Sequence, residues 1–196
     1  MDIGEPSQVN WDPAIRAFVL LFNGPPARTG YDRVSDLARR FVGTLALRRV
    51  RAEFPNLAVV FRDGNVQKDI ITKVDIRGLQ AVGRLERLSG PEPYPGKRPQ
   101  GSRSDLLLAN LGTEDAGDLP SGLEQEMPPA AFVFCASGRP LESRVLREAV
   151  SSARDWDGMM GNLARICDAV VSAGPDADYF VVASASEDAL RRISSD

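Results

Sequence analysis

Two short stretches carry side chains whose types and spacing suit ligand chemistry. Ser137-Gly138-Arg139 follows the apolar run Phe132-Val133-Phe134-Cys135, and Ser184-Ala185-Ser186 follows Tyr179-Phe180-Val181-Val182-Ala183. Each serine loop stands at the end of an expected strand and ahead of an expected helix. In open α/β sheets, ligands bind beyond the carboxyl ends of strands, where helix N-termini present free N–H groups. Serine hydroxyls, a glycine and an arginine in such a place suit a phosphate or a carboxylate. Ser137, Gly138, Arg139, Ser184 and Ser186 are therefore the candidate ligand-binding residues. The same serines also suit helix capping, which needs no ligand.

The chain contains no histidine and two cysteines. That excludes Ser-His-Asp and Cys-His catalysis, His-ligated zinc, imidazole proton shuttles and Cys-rich zinc sites. Asp63, Asp69, Lys73 and Asp75 form an acidic group with a lysine of the kind metal-dependent nucleases use, but solvated cross-strand charge explains it as well. No catalytic residue, metal ligand or cofactor is assigned, and the sequence leaves open whether the protein is an enzyme.

Three stretches resemble known motifs in part. Asn23-Gly24-Pro-Pro-Ala-Arg-Thr-Gly30-Tyr31-Asp32 after an apolar run resembles the phosphate loop of P-loop NTPases. Five residues rather than four separate its glycines, and Tyr31-Asp32 replaces the lysine and hydroxyl residue. Thr72-Lys73-Val74-Asp75 resembles the guanine-reading motif of GTPases but follows that loop too closely. Cys135-Ala136-Ser137-Gly138 after a strand resembles the nucleophile turn of caspase-like peptidases. With no histidine, that resemblance implies at most an inactive relative.

The elements that must position the serine loops follow from periodicity. Ala14–Phe22, Leu57–Phe61, Val66–Ile76, Leu106–Ala109, Phe132–Cys135 and Tyr179–Ala183 read as strands, with Asp63-Gly64 as a hairpin turn between the second and third. Thr29 and Asp32 fit a helix start, and a helix to about Phe54 presents Val34, Leu37, Ala38, Phe41, Val42, Leu45, Val50 and Phe54 to the core. Leu79–Leu88 reads as a short helix. Pro140 fits the first turn of a helix carrying Leu141, Val145, Leu146, Ala149 and Val150. Trp156–Ser172 reads as one helix closed by Gly174-Pro175, and a short helix follows Ser186. Strands alternating with helices predict an α/β fold, a mostly parallel sheet with flanking helices (Rossmann-like, three layers) and one antiparallel hairpin near residues 57–76.

The 196 residues fit a single α/β domain over 1–196, with a sub-boundary at the Pro-rich linker 90–101. Residues 1–13 read as a loose lead-in, and Gly112–Pro129 as a long acidic loop. Residues 1–103 hold 17 Lys and Arg against 11 Asp and Glu, whereas the rest hold 7 against 16. The acidic start carries no basic leader, and the longest apolar run is too short for a bilayer, so a soluble cytoplasmic protein with reduced cysteines is expected. The composition also looks bacterial-like, with 21 Arg to 3 Lys.

With no motif naming a reaction, the leading expectation is a non-catalytic binding or regulatory protein whose partner is another protein. The first alternative is an α/β enzyme or sensor that binds a nucleotide or other phosphorylated, anionic small molecule at the serine loops. The second is nucleic-acid binding through the basic N-terminal half, disfavoured because exposed aromatics do not interleave its arginines. No membrane contact is expected, and oligomeric state is not readable.

Overall fold

The apolar runs become strands of one sheet. In chain order these are β1 (Asn10–Asp12), β2 (Ala17–Asn23), β3 (Asn56–Arg62), β4 (Leu85–Pro91), β5 (Arg103–Gly112), β6 (Phe132–Ser137), β7 (Ala169–Ala173) and β8 (Tyr179–Ser184). Among the described residues four helices accompany them: α1 (Arg33–Glu53), α2 (Ser143–Ser151), α3 (Trp156–Ile166) and α4 (Glu187–Ser195). This computed structural model describes residues 4–24, 33–62, 84–92, 102–113, 132–173 and 179–195. The return strand over 66–76, the cap at Thr29 and Asp32, and the acidic group of Asp63, Asp69, Lys73 and Asp75 lie outside them. So do most of the acidic loop and Gly174-Pro175.

The strand order is β1-β2-β8-β7-β6-β3-β5-β4, and every neighbouring pair is antiparallel. The mostly parallel, Rossmann-like sheet expected from the sequence is therefore wrong. Its physical source is identifiable. All six residues of β6 are buried, as is the middle of β3. Continuous apolar runs report coverage on both faces, which parallel sheets almost always have and which this antiparallel sheet has too. The expected hairpin near 57–76 fails at β3, because β5 and β6 occupy both of its edges.

The deciding error falls between Trp156 and Ser172. The helix ends at Ile166, and Ala169–Ala173 is a strand rather than its last turn. β7 inserts between β6 and β8 and runs opposite to both. Val170 and Val171 fit a helical apolar face by spacing, but as a β-branched pair they also fit a strand. Ile166, the last residue of that helix and on its apolar face by spacing, is 40% exposed.

Smaller differences follow the same logic. Asn10–Asp12 is an edge strand rather than a loose lead-in. Leu85–Pro91 is a strand that replaces the end of the helix expected over Leu79–Leu88 and takes in the first two residues of the expected linker, with Gly90 and Pro91 closing it at the sheet edge, where a missing N–H is tolerated. The ends of the Pro-rich linker are tied together, with Glu92 N–H donating to the Ser102 carbonyl at 3.1 Å. Pro140 precedes α2 instead of opening it, and Glu142 is the N-cap. Phe41, placed on the buried face of α1, is 58% exposed.

Helices cover both faces. On one, α1 and α4 pack over Leu20, Phe22, Leu57, Phe61, Phe132, Phe134, Val171 and Phe180, contributing Val42, Leu47, Val50, Leu190 and Ile193. On the other, α2 and α3 cover Val60, Leu106, Leu108, Val133, Cys135 and Val170 with Leu146, Val150, Met159 and Leu163. Each fully buried Leu or Phe contributes roughly 1.5–3 kcal/mol. Helices on the two faces of an antiparallel sheet, rather than a Rossmann-like parallel one, enclose these two clusters. Among the described residues no helix is long and apolar enough to cross a membrane.

Two features hold the second helical layer in place. The Arg103 guanidinium donates to the Ala153 carbonyl at 3.0 Å, the Ser151 carbonyl at 2.8 Å and Ser89 Oγ at 3.2 Å. It thereby satisfies carbonyls at the end of α2 from the β4–β5 edge. Gly161 in α3 lies against the backbone of the β1–β2 turn, where a Cβ would sit 2.0 Å from the Ile15 carbonyl oxygen. Backbone cannot give way as a flexible side chain can. Gly161→Ala is therefore expected to lower the unfolding free energy by about 2–3 kcal/mol in denaturant titration. Gly138→Ala, whose nearest new contact would be Asp168 Oδ2 at 3.8 Å, is expected to cost less than about 1 kcal/mol.

Candidate functional site

β6 and β8 are both antiparallel to β7, so they run in the same direction and end at the same edge of the sheet. That places the loop after Ser137 and the loop after Ser184 on either side of the start of β7. The helices that follow diverge, with α2 on one face and α4 on the other. The structure thus brings the two predicted serine loops to one end of the sheet.

The residue between them is Asp168, immediately before β7. Its Oδ2 accepts from Ser137 Oγ at 2.9 Å and from the Gly138 N–H at 2.8 Å. Its carbonyl accepts from Ser184 Oγ at 2.7 Å, and its own N–H donates to the Ala136 carbonyl at 3.0 Å. One aspartate therefore ties three adjacent strands together with four hydrogen bonds. Asn56, at the start of β3, extends the ties to a fourth by donating its Nδ2 to the Ser137 carbonyl at 3.2 Å.

The two loops share a local geometry. Ser137 Oγ accepts from the Arg139 N–H at 3.1 Å, and Ser184 Oγ accepts from the Ser186 N–H at 3.0 Å. Each is a serine turn in which the hydroxyl bonds the backbone two residues on. Ser186 Oγ then accepts from the Ala189 N–H at 3.3 Å, which caps α4. Ser137 and Ser184 are buried, whereas Gly138, Arg139, Ser186 and Asp168 are exposed.

This arrangement limits the chemistry. The donors that would meet an anion at the first loop already face a carboxylate, and an incoming phosphate would have to displace Asp168. Among the described residues the carboxylate bonded to a loop serine is that of Asp168, which Ser137 Oγ and the Gly138 N–H hold in place, whereas Ser184 Oγ bonds only the Asp168 carbonyl. The outward-facing group is Arg139, whose guanidinium has no carboxylate partner among the described residues. A separate cleft beneath α1, lined by Gly43, Leu47, Phe132, Phe134, Val171 and Phe180, is apolar and only about 10 Å³ in volume. That is no more than one water needs. Among the described residues no group of three or more Cys, Asp and Glu could hold a metal ion.

Asp168 is the residue that the sequence reading missed, because it fell inside the helix expected over Trp156–Ser172. A signal was present. An aspartate in the last turns of a helix opposes the negative end of the helix dipole, and here a Val-Val pair follows it. Both features favour a helix stop before residue 168.

No known family profile, no curated protein and no solved structure matches this chain.

Asp168→Ala removes both carboxylate bonds and leaves the buried Ser137 hydroxyl with one partner fewer. The expected loss is about 1–3 kcal/mol of unfolding free energy, with Asp168→Asn losing less because one oxygen acceptor remains. Ser184→Ala, which removes one neutral bond to a carbonyl and one serine-turn acceptor, is expected to cost about 1 kcal/mol. Chemical denaturation followed by tryptophan fluorescence measures all three.

Proposed function

We propose that the protein is a binding or regulatory module that acts through contacts with another protein. The observation that carries this reading is Trp11. It sits on the edge strand β1, is 54% exposed, and packs edge-to-face on Phe18 with ring centroids 5.2 Å apart. A large aromatic held rigid by a neighbour yet open to solvent has the properties of an interface anchor, and tryptophan is enriched among residues that dominate binding energy. The internal use of the serine-loop donors by Asp168 supports the same reading, because it leaves few free groups for a small anion.

The test is chemical cross-linking and affinity capture of the wild-type chain beside Trp11→Ala, which removes exposed ring area from an edge strand and is expected to leave folding intact. A partner that is held by the wild type and lost at least tenfold with Trp11→Ala is the expected result. Partners held equally by both chains, or none at all, would overturn it.

A second reading rests on Arg139, a guanidinium with no carboxylate partner among the described residues, beside two serine loops. It is a phosphorylated small molecule bound at Ser137, Gly138, Arg139, Ser184 and Ser186. A ligand that binds only the folded state must raise its melting temperature. A rise with nucleotides or sugar phosphates that disappears in Arg139→Ala would establish this reading over the first.

A further inference from the structure

The chain ahead of β2 lies extended along one side of the sheet. Pro6 bridges Phe22, the Ser7 N–H donates to the Leu21 carbonyl at 2.8 Å, and Asn10, Trp11 and Asp12 pair with Val19, Phe18 and Ala17. Among the described residues β1 is the last strand on that side, and Gln8, Asn10 and Trp11 are exposed. An exposed edge strand presents backbone N–H and C=O groups to any extended chain that can approach it.

The two faces of this edge differ. Trp11 lies opposite Phe18, which packs against the cluster under α1 and α4, and Val9 packs against the same cluster. Asn10 and Asp12 lie opposite Val19 and Ala17, which belong to the cluster under α2 and α3. Side chains alternate along a strand, so one face of the edge is aromatic and the other ends in a carboxylate.

Other carboxylates gather beside Asp12. Its Oδ1 accepts from the Ala14 N–H at 2.8 Å and from the Ile15 N–H at 3.2 Å, which ties it into the β1–β2 turn. The Ile15 carbonyl lies against Gly161 of α3. Asp157 stands four residues before Gly161 on the same helix face, and Asp155 caps the helix start by accepting from the Gly158 N–H at 2.7 Å. Asp12, Asp155 and Asp157 thus meet where the turn packs on α3. Among the described residues none of them makes an ion pair, and Arg16 and Arg154, their neighbours in the chain, make none either. Partial burial, then the charges of Asp155 and Asp12, push the Asp157 carboxyl above its ordinary range, the direction expected where no cation stands close.

A second copy of the chain fits this edge poorly. Antiparallel pairing of two β1 strands about Trp11 sets Asn10 opposite Asp12 and carries both acidic groups to one face, where like charges repel. An acidic segment meets the same repulsion. We propose that the β1 edge receives an extended segment of a partner protein that alternates basic and apolar side chains, the basic ones meeting Asp12, Asp155 and Asp157 and the apolar ones meeting Trp11. The segment adds a strand to the sheet through its backbone, and the alternate side chains give the specificity. Opposite charge speeds the encounter and fixes the register more than it tightens the complex, and salt screens it. This partner class rests on the reading of Trp11 as an interface anchor and narrows it.

The test is isothermal titration of the folded full chain with synthetic peptides about nine residues long, the length of a long strand. One alternates Lys and Val, one alternates Glu and Val, and one carries the Lys and Val of the first in two blocks. The alternating Lys-Val peptide is expected to bind about tenfold more tightly than the Glu-Val peptide and about fivefold more tightly than the block peptide, with an affinity that falls as salt is raised. Trp11→Ala is expected to weaken it about tenfold. Asp155→Asn combined with Asp157→Asn keeps a capping side chain at residue 155, and is expected to weaken it about fivefold and flatten the salt dependence. Equal binding of the Lys and Glu peptides, both lost in Trp11→Ala, would overturn the basic partner and leave Trp11 as an anchor. Lys-Val binding that Trp11→Ala leaves unchanged would overturn both. A block peptide that binds as tightly as the alternating one would overturn strand addition. Binding of none of the peptides overturns the proposal outright, while capture of a Trp11-dependent partner decides the wider reading separately.

Discussion

The hydrogen bonds of Asp168 hold the centre of this protein in register. A single residue between α3 and β7 receives Ser137 Oγ and the Gly138 N–H on its carboxylate, receives Ser184 Oγ on its carbonyl, and gives its N–H to Ala136. β7 is only five residues long, yet it separates β6 from β8 and makes all three antiparallel. A one-residue slip of β7 would send Val170 and Val171 to the wrong faces, and the Asp168 bonds oppose that slip at its first residue. Strand direction, the meeting of the serine loops and the side taken by each helix all follow from this placement.

The same contacts set the character of the site. A carboxylate at a strand end that takes the local N–H and O–H donors leaves a surface where structure is satisfied internally and Arg139 faces outward. The exposed aromatic on β1 and the two buried hydroxyls thus differ in what they offer a ligand, since only the first is open to solvent. The apolar cleft beneath α1, lined by Phe132, Phe134 and Phe180, has room for no more than about one water.

Packing against backbone is the second constraint. α3 crosses the β1–β2 turn so closely that Gly161 has no room for a methyl group, and Gly43 of α1 would place a Cβ 2.5 Å from the Phe180 ring. These approaches press helices onto both faces of an antiparallel sheet that would otherwise have one wet side. With both faces dry, alternation disappears from the central strands. β6 and the middle of β3 carry apolar residues at every position, as strands of a parallel sheet do.

The sequence by itself determined where chain is buried. Short apolar runs marked β2, β3, β5, β6 and β8, the long periodic stretch marked α1, and the serines at two strand ends marked loops that do meet. These are local properties, since burial on one or two faces leaves its mark in residue type and spacing. Strand direction leaves no such mark, because an apolar strand covered on both sides looks the same whichever way its neighbours run. Only the tertiary structure decided that Ala169–Ala173 leaves the helix to become β7, that Asp168 joins the two serine loops, and that Cys135 and Cys167 fall in one apolar cluster. Each of these depends on pairing between residues distant in the chain, where a Val-Val pair that fits both a helix and a strand is settled by the partner available to it.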